Sequence, residues 1–96
     1  MLDVSQVYPT DLSNKEWRTI QSIIKPEKRG GRRREVDIRT MVNALLYRER
    51  TRCAWRLLPN NFPHWRTVYE YFTEWQKDHT WDKIRDTLNT LGRKNI

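Results

Sequence analysis

The stretch Cys53-Ala54-Trp55-Arg56-Leu57-Leu58-Pro59-Asn60-Asn61-Phe62-Pro63-His64-Trp65 decides the fold of this chain. It places two prolines and the large apolar side chains Trp55, Leu57, Leu58, Phe62 and Trp65 between two segments of helical periodicity. An ordinary connection runs over the surface with its polar groups in water and has no use for so much apolar area. The connector is therefore expected to be tucked under the helices it joins, fixing the angle between them. A single short helical turn is expected within it, over 54–57.

Upstream, Asp37 is placed to cap a helix reaching about Arg50. Its apolar set, Ile38, Met41, Val42, Leu45 and Leu46, forms a regular one-sided stripe. Downstream of Pro63, Trp65, Val68, Tyr69, Phe72 and Trp75 predict a helix running to about Lys77. Thr80 is expected to cap another, with Trp81, Ile84, Leu88 and Leu91 on one face and Gly92 as terminator. Nearer the N-terminus, Ser13-Asn14-Lys15-Glu16 matches a capping box. Trp17, Ile20, Ile23 and Ile24 follow at helical spacing, so a helix is expected over 14–24, stopped by Lys25-Pro26. Residues 1–12 are expected to be an extended lead, and 93–96 a frayed tail. No segment alternates with period two long enough for a strand. The expected fold is all-α, a helix-turn-helix-like tri-helical core with a fourth C-terminal helix, in one domain over 1–96.

The net charge of +7 and pI near 10.0 point to a polyanionic partner. Cys53 is the only cysteine, so no internal disulfide or cysteine-based metal site is expected, and a reducing compartment follows. His64 and His79 are too few for a histidine metal site, and no cofactor is expected. The first residues lack the basic and apolar regions of a signal peptide, and no apolar run has membrane-spanning length. A cytoplasmic, nucleoid-associated protein is the expectation.

Residues 26–34 contain no apolar side chain and carry Lys28, Arg29, Arg32, Arg33 and Arg34, interrupted only by Gly30 and Gly31. Such an arm, expected to form a mobile basic loop over 25–35, is suited to tracking phosphates or entering a narrow minor groove. The opposing reading is a merely solvated charged face. The third helix is the expected DNA reader. With Trp65, Val68, Phe72 and Trp75 turned inward, Arg66, Thr67, Glu70 and Tyr71 take outward and flanking positions. In a helix-turn-helix the N-terminal residues of the second helix meet base edges, which assigns arginine to guanine and glutamate to cytosine. Tyr71 is expected at sugar or phosphate. The competing account of Arg66 and Glu70 is an i,i+4 surface pair. Arg50, Arg52 and Arg56 are placed to hold the phosphate backbone, with a merely solvated face as the equal alternative, and His64 is expected to act as cap or spacer. The tryptophans on helical stripes are read as core, and Trp55 as a wedge. No nucleophile frame or phosphate loop is present, and no scaffold of converging carboxylates is evident for two-metal catalysis.

The chain resembles the N-terminal, IS402-like domain of IS5-group transposases within the IS4-like superfamily, over about Tyr8 to Leu91. The landmarks are Tyr8-Pro9-Thr10-Asp11-Leu12-Ser13 with Glu16-Trp17, then Gly31-Arg32, Val36-Asp37 and Arg39, then Asn43-Ala44-Leu45-Leu46-Tyr47. They continue through Cys53, Trp55-Arg56-Leu57-Leu58-Pro59, Phe62-Pro63, Trp65, Thr67-Val68-Tyr69, Phe72, Trp75 and Thr80-Trp81. Against that pattern, Arg33 stands where proline is usual, and Arg52 and His79 stand where glycine is usual. If those glycines serve left-handed positions, arginine and histidine there reduce stability.

The resemblance implies binding to the terminal inverted repeats of a mobile element as double-stranded DNA. It also implies a metal-dependent DDE catalytic part, fused or separately encoded, that is not in this chain. The chain then looks like a first-frame product or truncated copy, not itself an enzyme, with room for a homodimer. The alternative is a regulator that inhibits transposition by occupying the repeats or by pairing with the transposase.

Overall fold

The computed structural model describes residues 8–24 and 37–93. These fold into four helices, α1 (Asn14–Ile20), α2 (Ile38–Thr51), α3 (Trp65–Lys77) and α4 (Thr80–Thr90), with a 3-10 turn at Trp55–Leu57. No strand occurs among the described residues, so the fold is all-α. α3 packs against α4, the 3-10 turn and α2, while α1 lies against α4.

The caps follow side-chain chemistry. Ser13 Oγ accepts the Glu16 N–H at 3.1 Å and Glu16 Oε1 accepts the Ser13 N–H at 2.9 Å, completing the capping box of α1. α1 is shorter than its periodicity suggests. Beyond Ile20 the chain tightens into a turn, with the Ile23 N–H donating to the Ile20 carbonyl at 2.8 Å. Ile23 and Ile24 still pack on the core from that turn. Asp37 caps α2 as expected, accepting the Arg39 N–H and the Thr40 hydroxyl.

α2 is the most deeply buried helix, with Ile38 and all of Met41 to Leu46 buried. Its one polar member, Asn43, accepts the Leu12 N–H at 2.8 Å through Oδ1. That bond satisfies a buried donor and ties the N-terminal segment to the helix. The described part of the lead is not extended. Pro9 occupies the second position of a turn closed by Asp11 N–H to the Tyr8 carbonyl at 2.9 Å, a position that suits its fixed φ. The Tyr8 ring packs with Tyr47 at 5.0 Å and Phe62 at 5.2 Å, joining lead, α2 and connector in one aromatic cluster.

α4 is capped differently from expectation. Thr80 is its first residue and is buried; the Thr80 N–H donates to Asp78 Oδ1 at 3.0 Å, and the N-cap position is His79. Trp81, Ile84 and Leu88 are buried as the stripe requires, but Leu91 lies past the helix end and is partly exposed. Gly92, at φ 105, donates to the Asn89 carbonyl, and Arg93 donates to the Leu88 carbonyl, both at 3.0 Å. This is a complete Schellman termination.

The expectation of fraying fails at Arg93. Its guanidinium donates to both Glu16 carboxylate oxygens, at 2.8 and 3.1 Å, and to the carbonyls of Thr10 and Asp11 at 2.8 and 3.1 Å. The far end of the chain is thereby locked to the first helix. Residues 94–96 lie outside the described residues.

Arg52 and His79 both adopt left-handed backbone, at φ 60 and φ 66. A side chain costs about 1–2 kcal/mol there, and glycine returns part of that gain as unfolded-state entropy. Arg52→Gly and His79→Gly are each expected to raise stability by about 0.5–1 kcal/mol, read as higher urea midpoints at constant slope. His79 gains less, because its ring also meets Asp82 at 3.2 Å.

Candidate nucleic-acid interface

Between Arg48 and Arg66 the chain holds Arg48, Arg50, Arg52, Arg56 and Arg66, with Glu49 as its single acid. The fold gathers part of this charge on aromatic rings. Arg48 sits over Trp55 at 4.1 Å, and Trp55 packs against Tyr69 and Phe72, both at 5.2 Å. Arg56, in the 3-10 turn, and Arg66, in the first turn of α3, lie 5.2 and 5.5 Å from the centroid of one ring, Trp65. His64 lies beside that indole, and its Nδ1 accepts the Arg66 N–H at 3.1 Å. His64 is therefore the cap of α3, and in the neutral ring the proton sits on Nε2.

The connector is only partly tucked. Leu58 and Phe62 are buried and Trp55 and Trp65 half-buried, but Leu57 is 71% exposed. A 3-10 turn points successive side chains in different directions, so one of them faces solvent when its neighbours pack.

Of the sequence-predicted residues, Arg52, Arg56, Arg66 and Glu70 are exposed. Thr67 is half-buried, which leaves it less available than an outward position implies. Tyr71 is half-buried against the core, edge-on to Trp75 one turn further along the same helix at 5.8 Å, so only part of its ring reaches the outer face. Lys28, Arg29, Arg32, Arg33 and Arg34 lie outside the described residues. Among the described residues, no ion pair joins a carboxylate to Arg52, Arg56 or Arg66.

Sequence periodicity assigned Trp65 to the core and missed it as a platform. The local signal was weak: Trp-Arg occurs at 17–18, 55–56 and 65–66, yet Trp55 is faced by Arg48 and Trp65 by Arg56 as well as by its own neighbour Arg66. Among the described residues, no three His, Cys, Asp or Glu side chains converge into a metal-binding group. No helix among them is long and apolar enough to cross a membrane.

Residues 12–85 match the family model described as "Putative transposase of IS4/5 family (DUF4096)". The chain belongs to the IS4/5 transposase family. No curated protein and no solved structure matches it. The IS4/5 match runs from Leu12, whose N–H is held by Asn43, to Arg85 in α4. It thus spans α1, the arginine-rich connector and all of α3. The Arg93 clamp stands outside the matched span.

Proposed function

We propose that this chain is the end-binding part of an IS4/5 transposase. It holds the terminal inverted repeats of an insertion element as double-stranded DNA, while a DDE catalytic part, fused or separately encoded, cuts and joins. The observation that carries this is the exposed arginine cluster at the start of α3 in a member of a transposase family. α2 and α3 act as a helix-turn-helix pair, with the N-terminal turns of α3 in the major groove. Arg66, Thr67 and Glu70 lie on those turns. Glu70 accepts from the amino group of cytosine, and Thr67 suits either partner. Arg52 and Arg56 approach the backbone, and the basic segment over 28–34 adds phosphate or minor-groove contacts.

Two substitutions separate reading from gripping. Glu70→Ala is expected to lower the preference for one base pair by about 1–3 kcal/mol and leave the salt slope unchanged. Arg33→Ala is expected to weaken binding to all duplexes alike and reduce the salt slope by about 1. Anisotropy titrations on the terminal repeat and on single-base variants of it measure both. Uniform loss for Glu70→Ala on every duplex would take α3 out of the groove.

A further inference from the structure

We infer that Arg56, Trp65 and Arg66 form a pincer for one DNA phosphodiester, with the indole setting the position of both guanidiniums. The inference rests on the DNA-binding reading above and moves Arg66 from a base edge to the sugar–phosphate backbone. Arg56 and Arg66 come from different elements, yet their guanidinium carbons lie 5.2 and 5.5 Å from the same ring centroid. Both side chains are exposed, and among the described residues neither is ion-paired to a carboxylate. Two cations gathered on one ring repel each other, and their attraction to the indole opposes that.

An anion shared between them reverses the balance. A phosphodiester fits this role: its oxygens accept charge-assisted bonds from guanidinium groups approaching from different sides. A guanine edge is saturated by one bidentate guanidinium and leaves the second cation without a partner. Trp65 is half-buried, so its inner part packs on the core while the rest serves as platform. It is a positioning residue, acting through the two arginines.

The test is the salt dependence of duplex binding by the full chain and by its Arg56→Gln, Arg66→Gln, double and Trp65→Leu variants. Each phosphate neutralised on B-DNA adds about 0.9 to the slope of log affinity against log salt. A shared phosphate predicts that the double variant loses about 0.9 in slope, and that the two single losses do not add to more than this. That change corresponds to about a threefold smaller fall in affinity between roughly 50 and 200 mM salt. Arg66→Gln should keep its preference for the terminal repeat over a scrambled duplex. Trp65→Leu should lose slope although both arginines remain, whereas Trp65→Phe, which keeps a ring, should restore it. Circular dichroism of each variant establishes that α3 is still folded, and the exposed arginine variants decide the matter if Trp65→Leu is not.

A loss of about 1.8 in the double variant would overturn the pincer by showing two separate phosphates. So would an unchanged slope, or an Arg66→Gln variant that loses one base preference at constant slope. Failure of the unchanged chain to bind any duplex would overturn the parent reading and the pincer with it.

Discussion

Arg93→Ala is expected to remove about 2–4 kcal/mol of folding stability, lowering Tm on the order of 10–25 °C. The guanidinium joins the carboxylate of Glu16 to two backbone carbonyls, and both partners of the ion pair are largely buried, at 16% and 17% side-chain exposure. Its removal leaves that carboxylate without its cation and the carbonyls of Thr10 and Asp11 without this donor. Breaking one side of such a pair costs more than the pair contributes net, because the remaining charge stays desolvated. Lysine at 93 should recover only part, since it cannot bridge four acceptors in a planar fork.

The pH dependence has a defined sign. Burial pushes the Glu16 carboxyl up. The Arg93 hydrogen bonds and charge, together with the Ser13 backbone and hydroxyl, outweigh it and hold the group below its ordinary value of 4.5. A carboxylate depressed on folding contributes stability that is complete above pH 4.5 and lost as pH falls through its lower folded value. The difference in Tm between the unchanged chain and Arg93→Ala should therefore narrow below pH 4.5. A gap that stays constant from pH 7 to 3 would mean that the pair does not act through the Glu16 charge.

Trp81→Ala is expected to cost about 3–5 kcal/mol, enough to unfold a marginal domain of this size. Trp81 is 1% exposed and is the largest fully buried side chain among the described residues, on the stripe that α4 shares with Ile84 and Leu88. Alanine leaves a ring-sized cavity that rigid neighbouring helices fill only partly. Trp81→Phe should cost much less, under about 2 kcal/mol. The buried indole N–H finds no acceptor among the described residues, so phenylalanine loses volume but no hydrogen bond to them. Urea midpoints at constant slope measure both. Equal midpoints for the two variants would place Trp81 outside the core.

The helices were legible because their signals are local. Ser13 with Glu16, Asp37 and the stripe from Ile38 to Leu46 each specify a cap or a face within one or two turns. The left-handed positions were legible too, since Arg52 and His79 stand where the family resemblance led glycine to be expected, and both have positive φ. The Arg93 clamp was not. Its acceptors lie 77 to 83 positions away, and two of them are backbone carbonyls, which any residue supplies. Asn43 interrupts an apolar run for a reason that only the folded Leu12 N–H reveals.

The candidate interface was legible at the level of charge but not of arrangement. Periodicity turned Trp65 inward and gave Tyr71 an outward or flanking position, yet both pack partly on the core, because α3 meets α2, α4 and the 3-10 turn. Those three neighbours widen the packed face of α3, while Arg66, Glu70 and Glu74 stay exposed. The meeting of Arg56 and Arg66 on one ring depends on the path of the connector, which sequence spacing does not encode.

The central claim is end recognition, and its most direct test is anisotropy of the full chain on the terminal repeat and on a scrambled duplex, from about 50 to 200 mM salt. A preference for the repeat is expected to persist at the higher salt, because base contacts from α3 release no counterions. Equal binding to both duplexes, collapsing together as salt rises, would contradict it and leave a basic helical domain without recognition.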